Sequence, residues 1–126
     1  MCGTTEKSIE EKDDDLRLCA TAFAYEHGYI GEDIDIKHWV NLNVYFARTI
    51  EDDSEFPTDR VYNVFINRMK HLNSEKDTKE YSNFIQVLTE ERFYICGILD
   101  NLRSVLQNES EFDNYVILGR NASNVK

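Results

Sequence analysis

The chain has 126 residues, 41% hydrophobic and 30% charged, with 24 acids against 14 bases for a net charge of −10. It suits one domain and is too apolar to stay disordered, while one proline and five glycines are too few for the turns of an all-β fold. The acid excess argues against direct contact with nucleic acid, whose affinity comes from Lys and Arg displacing counterions, and against an anionic membrane surface. It suits a basic partner, or serves solubility alone.

Residues 1–7 form a polar leader. Ser8-Ile9-Glu10-Glu11 fits a capping box. The helix after it carries Leu16, Cys19, Ala20, Phe23 and His27 on one stripe, with Gly28 placed to end it. Asp13, Asp14 and Asp15 lie late for the benefit of the macrodipole if the helix begins at Ser8, so a start near Asp13 is the alternative. Residues 29–35 connect to a second helix, capped by Asp35 and built on Ile36, Trp39, Val40, Tyr45 or Phe46, and Ile50. Glu51, Asp52, Asp53 and Glu55 then form an acidic loop up to Pro57. Carboxylates oppose the dipole at a helix C-terminus, so this helix is expected to stop by about Ile50. Thr58 can cap a third helix on Val61, Phe65, Met69 and Leu72, broadened by Val64 and Ile66, with residues 71–78 as the next turn.

Between residues 81 and 106 the pattern is strongest. Tyr81, Ile85, Leu88, Arg92, Ile95, Leu99, Leu102 and Leu106 recur in alternating steps of four and three, beside a second row of Phe84, Val87, Tyr94, Ile98 and Val105. Two adjacent apolar rows make the wide face of a buried helix. At ~1.5 Å per residue it would reach roughly 39 Å, against a radius of gyration of about 14 Å for a domain of this size, so it is predicted as the central post. Only Arg92 interrupts the first row. Either it meets a carboxylate inside the fold, or its row faces solvent or a partner there, or the helix restarts around Thr89-Glu90-Glu91 and the register differs. Tyr115-Val116-Ile117-Leu118 is a short apolar run; with no partner strand in view it is predicted as a last helix capped by Ser110 and stopped at Gly119. The expected architecture is an all-α bundle of five or six helices around a long central helix at about 81–106. Its single domain spans 8–119, between the leader and a tail at 120–126.

Chemistry is sparse. Cys2, Cys19 and Cys96 form an odd set without a C-x-x-C pair, and Cys19 and Cys96 fall on apolar faces. No signal-peptide pattern and no apolar run near 18 residues occurs, which points to a reducing, cytoplasmic setting with the sequons at Asn108 and Asn121 unused. Asp35 and His38 have the spacing of one metal-ligating pair, but a second pair is missing. Phosphate-loop, dinucleotide, nucleophile-elbow and EF-hand signatures are absent. No catalytic residue, metal or cofactor is therefore assigned.

The expected partner-binding residues are the acids at the two ends of the second helix with the aromatics beside them. Glu32, Asp33 and Asp35 lie at one end, and Glu51, Asp52, Asp53 and Glu55 at the other, roughly 22 Å away for a helix of about 15 residues. Tyr29, Tyr45 and Phe56 adjoin them. Carboxylates with interleaved aromatic rings engage Lys and Arg by charge and by cation–π contact; solvated loops rich in capping acids are the plainer reading. The expected function is a non-enzymatic binding module or inhibitor of a basic protein partner, in the class of toxin-immunity proteins or phage-encoded inhibitors, with nucleic-acid mimicry as a narrower form. The alternatives are a structural subunit or helical adaptor that dimerises or joins a complex through an apolar strip near Arg92 or 115–118, and a small metal-dependent hydrolase.

Overall fold

A chain that punctuates apolar periodicity this rarely with Gly or Pro has little choice but helices. The computed structural model describes residues 9–27, 35–76 and 79–124. Among them are six helices and no strand: α1 Ile9–Glu26, α2 Ile36–Asp52, α3 Thr58–Lys76, α4 Lys79–Glu90, α5 Arg92–Leu106 and α6 Glu109–Asn124. The expected all-α bundle is what forms. The cap proposed at Ser8 and the stop at Gly28 lie outside the described residues.

α1 packs most extensively on α6 and next on α2, while α5 touches α2, α3, α4 and α6. The core runs through all of them: Phe23 from α1, Trp39 and Phe46 from α2, Tyr62 from α3, Phe84 and Leu88 from α4, Ile95, Leu99 and Leu102 from α5, and Val116 from α6. Trp39 fastens α2 to α1 by donating its indole N–H to the Ala24 carbonyl at 3.0 Å.

The helix boundaries correct several expectations. Asp35 does cap α2, its side chain accepting the Lys37 N–H at 2.9 Å. α2 nonetheless runs past Ile50 to Asp52, because the Glu51 and Asp52 carboxylates are exposed and water screens them from the dipole. Pro57, rather than Thr58, supplies the carbonyl that opens α3, accepting from Arg60 and Val61. Residues 71–76 continue α3 instead of turning, since they hold neither Gly nor Pro. Val64 does not broaden the buried stripe of α3; it is 41% exposed.

The long post is divided in two at Glu91, whose φ of −105° and ψ of 27° leave the helical region. Thr89 starts the departure by donating its hydroxyl back to the Ile85 carbonyl, a bond that bends helices. From α3, the Tyr62 hydroxyl then donates to the Leu88 carbonyl, the acceptor that the Arg92 N–H would use in a continuous helix. A side chain inserted into the ladder is a recognised cause of a kink. Arg92 therefore opens α5, and its environment answers the question it raised. It donates to Asn63 Oδ1 at 2.7 Å and its guanidinium lies over the Tyr62 ring at 5.4 Å, so an amide and an aromatic face serve where a carboxylate was one expectation.

α6 departs furthest from expectation. Asn108, not Ser110, caps it by accepting the Glu111 N–H at 3.1 Å. The run 115–118 is helical, and the helix passes through Gly119 to Asn124, so most of the expected tail belongs to the fold. Gly119 is needed for proximity: a Cβ there would sit 2.5 Å from the Leu18 carbonyl oxygen on α1. Gly97 on α5 is the opposite case, with nothing within 4 Å of an added Cβ. Gly119→Ala is expected to cost about 1–3 kcal/mol, since backbone cannot yield as a side chain does, whereas Gly97→Ala is expected to gain roughly 0.5–1 kcal/mol of helix propensity. Urea denaturation of the two variants checks both signs.

Candidate functional site

The turn between α2 and α3 is held by hydrogen bonds to its backbone, one of them accepted by a carboxylate. Asp53 closes α2, its N–H donating to the Thr49 carbonyl, and its Oδ1 accepts the Glu55 N–H at 3.2 Å. Arg103 of α5 reaches underneath and donates to the carbonyls of Phe56 and Ser54. The turn's internal cation is thus spent on carbonyl oxygens. Glu51, Asp52, Asp53 and Glu55 are all exposed, and among the described residues none of these four is in an ion pair. Two of them correct the expected loop: Glu51 and Asp52 belong to the last turn of α2.

The acids of α1 behave differently. Asp13 pairs with Arg48 of α2 at 2.7 Å, and that guanidinium holds its carboxyl below the usual carboxylate range. Asp14 pairs with Arg17. Asp15, only 4% exposed, meets Arg120 of α6 at 3.1 Å. Asp13 and Asp15 are therefore neutralised by arginines of other helices, and Asp14 by one of its own.

Of the other expected binding residues, Tyr29, Glu32 and Asp33 lie outside the described residues, and Asp35 is occupied as the cap of α2. Tyr45 and Phe56 are half-buried and already carry internal cations. Arg68 lies over the Tyr45 ring at 5.3 Å and Arg60 over the Phe56 ring at 5.9 Å, while Tyr45 also packs on Phe65. Both rings pack against the core. The His38 ring stacks on Phe84 at 5.1 Å, and among the described residues no three His, Cys, Asp or Glu side chains gather to hold a metal. Burial pushes the Cys19 thiol up to about 12 and raises that of Cys96; thiols so placed are poor nucleophiles.

A second arrangement was invisible to spacing rules because its members lie far apart in the chain. α1, α5 and α6 leave a cleft of about 510 Å³ between them, lined by Phe23, Glu26 and His27, by Asn101, Ser104 and Val105, and by Glu111, Asn114, Tyr115 and Leu118. His27 stacks on Phe23 at 4.1 Å between ring centroids, and Tyr115 meets Phe23 edge-on. His27 Nε2 lies 3.3 Å from the Tyr115 hydroxyl, and the Glu26 carboxylate lies near it. A neighbouring cleft of about 610 Å³, lined by Thr21, Ala22, Tyr25, Glu26, Leu118, Gly119 and Ala122, shares Glu26 and Leu118 with it.

No family model matches the chain, and neither a curated protein nor a solved structure matches it. No helix among the described residues is long and apolar enough to cross a membrane.

Burial and the nearby Glu26 and Glu111 carboxylates disfavour the phenolate, and the Tyr115 hydroxyl is pushed up to about 12. Its folded value lies above the unfolded one near 10, so its contribution to stability is complete below about pH 10 and is lost as the pH rises toward 12. Tyr115→Phe removes that loss. The difference between urea midpoints at pH 9.5 and 11.5 is expected to be smaller in the variant than in the parent; Cys19 contributes an alkaline loss of the same sign to both.

Proposed function

We propose that this protein is a non-enzymatic binding protein that engages a basic protein partner through the carboxylates of the α2–α3 turn. The observation that carries the reading is the contrast between two sets of acids. Asp13, Asp14 and Asp15 are tied to arginines of the same chain, while Glu51 and Asp52 at the end of α2, and Asp53 and Glu55 on the following turn that Arg103 secures through backbone carbonyls, face solvent. A fixed set of unneutralised carboxylates steers and orients a cationic surface without prior rearrangement. Inhibition of a basic toxin or nuclease in the cytoplasm is the kind of task such a surface suits, and the buried, unactivated thiols accord with a reducing setting.

The test is a pull-down from native lysate, with the parent and with a variant in which Glu51, Asp52, Asp53 and Glu55 are all changed to Ser. A basic protein is expected to be retained by the parent at low salt, released near 1 M salt, where the Debye length falls to about 3 Å, and lost with the variant. Retention of the same partner by the variant would overturn the reading.

One observation favours the structural-subunit alternative. Phe93 is 93% exposed and Tyr94 52% exposed at the start of α5, beside the joint that Arg92 anchors. Single exposed apolar residues are ordinary, but adjacent large ones mark contact surfaces more often. If this strip joins two copies, sedimentation velocity finds a concentration-dependent dimer that Phe93→Ser abolishes; a parent that sediments as a monomer at every concentration removes the alternative.

A further inference from the structure

We propose that the cleft between α1, α5 and α6 is a pocket for an arginine side chain of a basic partner. The inference deepens the reading above by naming a side chain, but it rests on a different surface from the α2–α3 turn.

Three features converge on that ligand. The first is charge: Glu26 and Glu111 are exposed at the cleft, and no Lys or Arg is among the described residues that line it. A guanidinium entering here meets two carboxylates and, among the described residues that line the cleft, no other guanidinium or ammonium, unlike the Tyr45 and Phe56 rings, whose faces Arg68 and Arg60 already cover. The second is hydrogen-bond type. A guanidinium presents five donors and no acceptor, and the rim supplies acceptors: the two carboxylates, the side-chain carbonyls of Asn101 and Asn114, and the Ser104 hydroxyl, whose own hydrogen goes to the Asp100 carbonyl. The third is the floor. Leu118 is exposed apolar surface for the methylene stem, and His27 and Tyr115, packed over the buried Phe23, add planar rings. Arginine stacks on such rings and pairs with carboxylates in a fixed fork, which the spherical lysine ammonium does not reproduce.

The probe is N-acetyl-L-arginine amide, titrated into the ¹⁵N-labelled full chain and followed by amide chemical shifts. Saturable shifts are expected at His27, Asn101, Ser104, Asn114 and Tyr115. The citrulline analogue, equal in shape but uncharged, is expected to shift them by less than a tenth as much. Glu26→Gln and Glu111→Gln, singly and together, are near-isosteric changes at exposed positions, and each single change is expected to weaken the arginine response severalfold. The four-Ser variant of the α2–α3 turn is expected to leave the response intact, so failure of the turn and failure of the cleft are read separately. Equal shifts from the citrulline probe, no saturable shifts at the cleft, or a response that survives both Gln changes would overturn the proposal.

Discussion

A single hydroxyl decides how this chain is laid out. Tyr62, buried on α3, donates to the carbonyl of Leu88 and so takes the acceptor that a continuous helix would offer to Arg92. Its ring also receives the Arg92 guanidinium. One side chain thus ends α4 with its hydroxyl and steadies the start of α5 with its face. A buried hydrogen bond of this kind contributes about 1 kcal/mol net, and leaving either group unmet costs about 1–3 kcal/mol. Both groups are satisfied only while the joint persists.

The joint lets two short helices take separate roles. At ~1.5 Å per residue, α4 and α5 span about 18 Å and 22 Å, lengths that stay within the body where an unbroken rod would not. α4 lies against α3, and α5 is free to take the central position among α2, α3, α4 and α6. That position puts Arg103 beneath the α2–α3 turn and Asn101 and Ser104 on the wall of the cleft facing Glu26 and Tyr115. The other wall depends on Gly119, whose missing side chain lets α6 approach the Leu18 backbone of α1. The candidate surfaces are therefore consequences of helix placement, set by one tyrosine and one glycine that contact no ligand themselves.

The helical class was legible because long amphipathic stripes survive any tertiary arrangement. Leu88, Ile95, Leu99 and Leu102 are buried just as their spacing requires. The break was legible only as a question, raised by Arg92 and by Thr89-Glu90-Glu91, since its cause sits 26 residues upstream on Tyr62. Gly119 misled for a physical reason: glycine at a helix end and glycine at a helix crossing are the same letter, and only the neighbouring backbone separates them. The exposed acids at 51–55 were readable from composition. That Asp13 and Asp15 are neutralised while those four are not depends on where Arg48 and Arg120 fall in three dimensions. The cleft could not be read at all, because His27 and Tyr115 stand 88 positions apart.

The joint at Glu91 is open to direct observation by NMR in solution, through ¹³Cα secondary shifts and medium-range nuclear Overhauser contacts across residues 85–96. Helical shifts on both sides, a drop at Glu91 and no Hα–HN contact from Leu88 to Arg92, with that contact appearing in Tyr62→Phe, is the predicted result. Unbroken helical shifts and a Leu88–Arg92 contact in the parent protein would contradict the account.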